Sequence, residues 1–250
     1  MNFEWFLVFA TIITGTLFLL SFSRRFAHSK NKIMSWLLEQ GAGFFPVFVI
    51  VLFLRSFLFE PFRIPSGSLE PTLNVGDFVL VNKFSYGFRL PIINKTIIGV
   101  AEPGYGDIAV FRWPPDQHFD FIKRVVGLPG DKVSYHNKQL TINGRIMSLT
   151  KITEEIDESS GKLVECYEED LMGVKHKIYQ QKDASSKDFD WIIPKDSYLM
   201  MGDNRDDSAD SRYWGFVPNK LLRGKAVLVW LSWNGYENKI RWSNIGKWIH

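Results

Sequence analysis

Two N-terminal transmembrane helices followed by a mainly β, antiparallel domain is the fold class this sequence predicts, and three observations predict it. Trp5 to Ser23 carries no charged residue and is dense in Phe, Leu, Ile and Val. A second apolar stretch, Gly41 to Phe59, is interrupted only by Arg55. From residue 61 onward the apolar residues come in short β-branched and aromatic groups separated by Gly, Pro and Asn, with no long helical stripe competing.

The first run, at 1.5 Å per residue, approaches the roughly 30 Å of a bilayer's hydrocarbon core. A cleaved signal peptide carries its positive charge before the apolar run. Here Glu4 precedes the run, while Arg24, Arg25, Lys30 and Lys32 follow it. That order predicts an uncleaved anchor over 1–23 with the basic loop, 24–40, in the cytoplasm. The second span, 41–60, tolerates Pro46 as membrane helices do. Arg55 lies near enough to its end to snorkel toward the head groups. A buried soluble helix is the alternative reading of this shorter stretch. With two spans, residues 61–250 face the outside of the membrane.

Within 61–250, four segments read as strands: Asp77–Lys83, Asp107–Arg112, Phe119–Val126 and Gly224–Trp233. Gly104–Gly106, Pro129–Gly130 and Asn143–Gly144 supply turn chemistry between segments. The stretch 148–190 is acidic and weakly periodic, and reads as a polar excursion at the surface of the β core. The composition, 46% hydrophobic and 23% charged, excludes a disordered chain. A net charge of +3 gives no reason to expect nucleic acid as a partner. The single cysteine, Cys166, excludes an internal disulfide and a cysteine metal cage.

Three islands could carry chemistry. In the first, Ile64 to Leu73, prolines 65 and 71 and Gly67 constrain a path that holds Ser66 and Ser68 two residues apart. A polar turn is the simplest account of such a segment, and a nucleophilic serine needs a base. Among the histidines, His28 falls in the basic loop and His250 is the last residue. His118, His136 and His176 sit in polar or turn-like sequence without a recognisable motif. A Ser–His–Asp triad stays open, since triads assemble from distant segments. The second island, Phe119 to Val126, offers another base. Strand alternation puts Phe121, Lys123 and Val125 on one face, where a lysine would be desolvated toward its neutral form. A solvent-facing edge lysine is the alternative. The third island, Met200 to Gly215, lacks the Gly and Glu of a calcium loop in either register tried. Its charges instead predict ion pairs of Asp203 with Arg124 and Asp210 with Arg212, and a hydroxyl able to orient a buried amine.

These islands, in this order behind two apolar spans, resemble the bacterial type I signal peptidases, a family of Ser–Lys leader peptidases. The resemblance rests on Pro65-Ser66-Gly67-Ser68, Gly76-Asp77, Gly106-Asp107-Ile108, Ile122 through Asp131, and Gly202-Asp203-Asn204-Arg205 through Trp214-Gly215. It implies a curved antiparallel β domain on the membrane surface, with Ser68 as nucleophile and Lys123 as general base. It implies that Ser66 completes an oxyanion hole and that Ser208 orients the lysine. The family cuts after small residues in an Ala-x-Ala-like pattern, and Ile64, Leu69 and Ile122 are the candidate pocket walls. Strand alternation sits least easily with Ile122, which it puts opposite Lys123. The implied partners are signal peptides of secretory preproteins, the membrane lipid surface and the protein translocation machinery, with no metal or organic cofactor. The implied location is the inner membrane, multi-pass, with the catalytic domain on the periplasmic side. Leu69 stands where the family usually has methionine, a volume-conserving change. With Cys166 alone, the disulfide of some relatives does not carry over. A membrane-anchored β module that only binds partners, and a Ser–His hydrolase, are the rival readings.

Overall fold

The computed structural model describes residues 3–22, 32–53, 59–89, 96–98 and 101–249. These form two compact units, Met1–Phe59 and Glu60–His250. The N-terminal unit holds two helices, α1 (Phe3–Ser21) and α2 (Lys32–Phe53). They pack through small residues: a side chain at Gly15 would press on Phe45, and one at Gly41 on Leu17. The rings of Phe18 and Phe45 lie 5.2 Å apart across this contact. The second helix begins at Lys32, nine residues before the apolar stretch at Gly41, so residues 32–40 are helical instead of loop. Among the described residues no helix is long and apolar enough to cross a membrane, so the two spans stand as expectations. Arg55, His28 and His250 lie outside the described residues.

The second unit is mainly β, as its alternation predicts. Its strands are β1 (Phe59–Arg63), β2 (Asp77–Asn82), β3 (Phe88–Arg89), β4 (Thr96–Ile98), β5 (Ile108–Arg112) and β6 (Asp120–Gly127). They continue with β7 (Lys132–His136), β8 (Gln139–Ile142), β9 (Arg145–Ile146), β10 (Ser148–Ile156), β11 (Leu163–Leu171) and β12 (Val174–Gln180). The last are β13 (Phe189–Ile192), β14 (Ser197–Met201), β15 (Val217–Pro218), β16 (Leu222–Asn234) and β17 (Lys239–Ile240). The main sheet runs β1-β2-β16-β5-β6-β14-β15, with β17 on β16. All four predicted strands fall in it side by side, as β2, β16, β5 and β6.

Turn glycines sit where the sequence placed them. Gly106 and Gly130 have φ of 82° and 88°, a region open to glycine at little cost. The acidic stretch 148–190 is more ordered than its composition predicts. Most of it is a three-stranded antiparallel sheet, β10-β11-β12. Asp157 and Glu169 from this stretch are fully buried, against the expectation of a surface excursion. Each has a partner from residues 204 and 205, too far along the chain for local patterning to reveal it, and Asp157 also accepts from Ser159 and Ser160.

Candidate active site

The segment after β1 is pinned at both ends before it reaches the serines. Ile64 donates its N–H to the Asp77 carbonyl at 2.8 Å, and its own carbonyl accepts from Gly76 at 3.0 Å. Beyond it, Gly67–Leu69 forms one turn of 3₁₀ helix. Leu69 anchors that turn in an apolar cluster with Ile64, Leu73, Val79 and Val81. Anchoring by Leu69 fixes the side chain before it: Ser68 is only 7% exposed. Its N–H, a first-turn amide, has no partner within the turn. Ser66, on the outer side of the turn, is exposed, and its Oγ lies 3.4 Å from that of Ser68.

Lys123 reaches the same point from the middle of β6. That strand pairs with β5 on one side and β14 on the other, so neither of its edges is free. Phe121 and Val125 pack in one apolar cluster, as strand alternation requires, and the Lys123 Nζ lies 5.7 Å from the Phe121 ring. The amine is 4% exposed and stands 2.5 Å from Ser68 Oγ. Burial lowers its pKa to about 8 from an ordinary lysine value, partly opposed by Asp210 and Asp203 and aided by Arg212. A lysine in this state is neutral in part at physiological pH and can accept a proton.

Charged residues around the pair are themselves tightly paired. Arg124 donates to Asp203 through Nε and Nη2, both at 2.8 Å, and to the Gly106 carbonyl at 2.6 Å. Against its own burial, Asp203 is held below the usual carboxylate range by Arg124. Asp210 receives Arg212 at 2.8 and 2.7 Å and also caps the Gly202 N–H. Gly202 brings this island to Ser68: a side chain there would overlap both the Ser68 carbonyl and the Ser208 hydroxyl. Ser208 is buried beside it, and its Oγ makes no hydrogen bond among the described residues. The amine of Lys123 is therefore not held by Ser208 in this arrangement.

The three candidate pocket residues differ in burial. Ile64 and Leu69 are 1% and 0% exposed and pack together in the apolar cluster beside the serines. Ile122 is half-buried and packs on the same cluster. Sequence reasoning missed several residues that brace the site. Asn204 donates from its backbone to the Ser68 carbonyl and from its side chain to Gly67 O and Asp157. Thr72 donates to Asp203. Glu169 binds Arg205 through both oxygens and lies 3.2 Å from His176. Asn204 and Arg205 fall inside the third island, which was the available signal; Asp157 and Glu169 gave none beyond their charge. The histidines of this unit bond elsewhere: His118 to Asp116, His136 to Asp188 and Asp190, His176 to Glu169.

A buried serine hydroxyl lies against a buried, easily deprotonated amine on a β scaffold, an arrangement suited to a hydrolase. Residues 37–233 match the family model described as signal peptidase, peptidase S26. Signal peptidase I of Pseudomonas fluorescens is 50% identical over 210 residues, covering 79% of this chain and 73% of that one. The Pseudomonas aeruginosa protein of the same name is 48% identical over the same shares. That of Buchnera aphidicola from Acyrthosiphon pisum is 40% identical, covering 89% of this chain and 84% of its own. The chain belongs to the signal peptidase I family, peptidase S26, and is a serine endopeptidase acting on signal peptides of preproteins.

Proposed function

We propose that the chain is a membrane-anchored endopeptidase that removes signal peptides with a Ser68–Lys123 dyad. The observation that carries this is the 2.5 Å approach of two buried groups, Ser68 Oγ and Lys123 Nζ. Neutral Lys123 takes the hydroxyl proton as Ser68 oxygen bonds to the scissile carbonyl carbon. The oxyanion that forms is met by the Ser68 N–H and the Ser66 hydroxyl. As the C–N bond breaks, Lys123 gives its proton to the departing amine and leaves an acyl ester on Ser68. Water then adds to the ester carbonyl, again losing its proton to Lys123. Breaking the ester returns that proton to Ser68.

Ser208 is the orienting hydroxyl in this reading: buried beside Gly202 and unpaired, it is free to meet the amine once the proton has moved. Specificity for small residues before the cut, in an Ala-x-Ala-like pattern, belongs to the same proposal, with Ile64, Leu69 and half-buried Ile122 as the wall residues. Anchoring is supported by apolar side chains facing outward on both helices, among them Phe9, Ile12 and Ile13 on α1 and Phe44, Val47 and Ile50 on α2. Such a surface is stable in lipid and costly in water. The basic residues between the helices support a topology with residues 61–250 on the periplasmic side of the inner membrane, where in this reading the lipid surface and the translocation machinery deliver substrate.

The test is cleavage of one exported preprotein by purified protein in detergent, with the new N-terminus sequenced. The wild type yields one product cut after an Ala-x-Ala-like site. Ser68→Ala and Lys123→Arg yield none, because guanidinium stays protonated and cannot act as base. Turnover by the arginine variant would overturn the role given to Lys123.

A further inference from the structure

Beneath the nucleophile turn lies a carboxyl pair that the dyad does not use. Glu70, two residues past Ser68, and Asp157, just after β10, are 2% and 0% exposed. The Ser159 hydroxyl sets them side by side: it is 3.0 Å from Asp157 Oδ1, and it and the Glu70 Cδ border the same space beside Gly67. Asp157 is amply supplied with donors. It accepts from the Ser159 N–H at 3.1 Å and hydroxyl at 3.0 Å, from the Ser160 hydroxyl, and from Asn204 Nδ2 at 3.1 Å. Glu70 is not. Its Oε1 receives the Val75 N–H at 3.5 Å, its Oε2 finds no donor among the described residues, and Asp157 competes with it for the Ser159 hydroxyl. The one hydroxyl proton of Ser159 is already given to Asp157.

Two buried acceptors can face each other stably only when one of them carries a proton. The other titratable group acting on Glu70 across this contact is Tyr179 of β12, which brings no positive charge. The nearby Glu158 pairs with Arg241 at 2.8 Å, so that guanidinium is already engaged. The pair is wired to the nucleophile by two routes. Asn204 links Asp157 to the carbonyls of Gly67 and Ser68, and the Glu70 N–H closes the turn on the Gly67 carbonyl at 3.0 Å.

We propose that Glu70 is a positioning residue, protonated in the working enzyme and donating to Asp157, and that this shared proton clamps the Gly67–Ser68 turn in its productive place. The inference rests on the reading of Ser68 as nucleophile. Burial, with the hydrogen bond and charge of Asp157, pushes Glu70 up to about 8. Against its own burial, Asp157 is held at about 2 by hydrogen bonds from Glu70, Ser160 and Ser159. When Glu70 ionises, two carboxylates repel at close range and the turn shifts. A displacement near 1 Å is enough to cost about 10²-fold in rate.

The full chain in detergent is titrated by infrared difference spectroscopy while kcat and KM are measured on a preprotein. A protonated-carboxyl stretch should be present at neutral pH and vanish as pH rises through about 8. It should persist in Ser68→Ala and be missing in Glu70→Gln, whose amide donates in place of the acid. Wild-type kcat should fall on the alkaline side with KM little changed, and Glu70→Gln should lose that fall. Glu70→Ala should lose about 10²-fold in kcat at every pH. A wild type without the stretch, or an alkaline fall unchanged in Glu70→Gln, would overturn the proposal. Cleavage by Ser68→Ala would overturn the nucleophile assignment, and the spectrum would still report on the proton.

Discussion

Gly67 is the position at which one methyl group should disable the site, and the loss should be reversible by a change at Ser159. An alanine Cβ at 67 would fall on the Ser159 hydroxyl and lie 2.6 Å from Ser159 Cβ. Carbon atoms prefer about 3.5–4.0 Å, so the two groups must separate by roughly 1 Å. Ser159 cannot easily yield, because its N–H and its hydroxyl are both bound to the buried Asp157. The turn carrying Ser68 must move instead, and Lys123 then loses its 2.5 Å approach. Overpacking of this kind costs about 1–3 kcal/mol of stability. The rate should fall about 10²-fold, in kcat more than in KM. In Gly67→Ala/Ser159→Gly both obstructing atoms are gone, and the nearest remaining atom is Glu70 Cδ at 3.3 Å. The double variant should therefore recover most of the lost kcat, less about 1 kcal/mol of stability for the missing hydroxyl bond. Steady-state kinetics on a preprotein and urea unfolding read both quantities. Full kcat in Gly67→Ala, or a double variant as poor as the single, would refute this packing argument.

Other outcomes follow from the same geometry. Ser66→Ala should lower kcat by about 10²–10³-fold with little change in KM, and Ser66→Thr should retain more activity, as steady-state kinetics would show. Asp203→Ala removes the buried carboxylate that balances the charge of Arg124 and should cost about 3–5 kcal/mol in urea unfolding. Because folding raises Glu70 from 4.5 to about 8, the native state keeps a proton that the unfolded chain loses in that window. Stability from this group is complete below about 4.5 and declines as pH rises toward 8, a slope that Glu70→Gln should flatten in the same assay.

Much of the β unit was legible because strands with alternating or continuous apolar character carry their own signature. The segments read as strands became β2, β5, β6 and β16, neighbours in one sheet. Lys123 was legible as a candidate because its strand neighbours Phe121 and Val125 are apolar. The meeting of Ser68 with Lys123 was not, since 55 residues separate them and no local pattern encodes that contact. The stretch 148–190 misled because charge alone reads as solvent exposure. Asp157 and Glu169 are buried with donors from Asn204 and Arg205, far along the chain, which at Asp157 add to those of Ser159 and Ser160. Ile64 and Leu69 were legible as apolar residues beside the two serines, and their shared cluster holds the turn to the core.

That Lys123 is the base for Ser68 is tested most directly by the pH dependence of kcat/KM, which reports the ionisations of the free enzyme. With the amine lowered to about 8 by burial, kcat/KM should climb about tenfold per pH unit from pH 6 to 7 and bend near 8. Lys123→Arg should show no turnover anywhere in that range. A rise complete by about pH 6.5, where an ordinary histidine titrates, would contradict the account, as would measurable cleavage by Lys123→Arg.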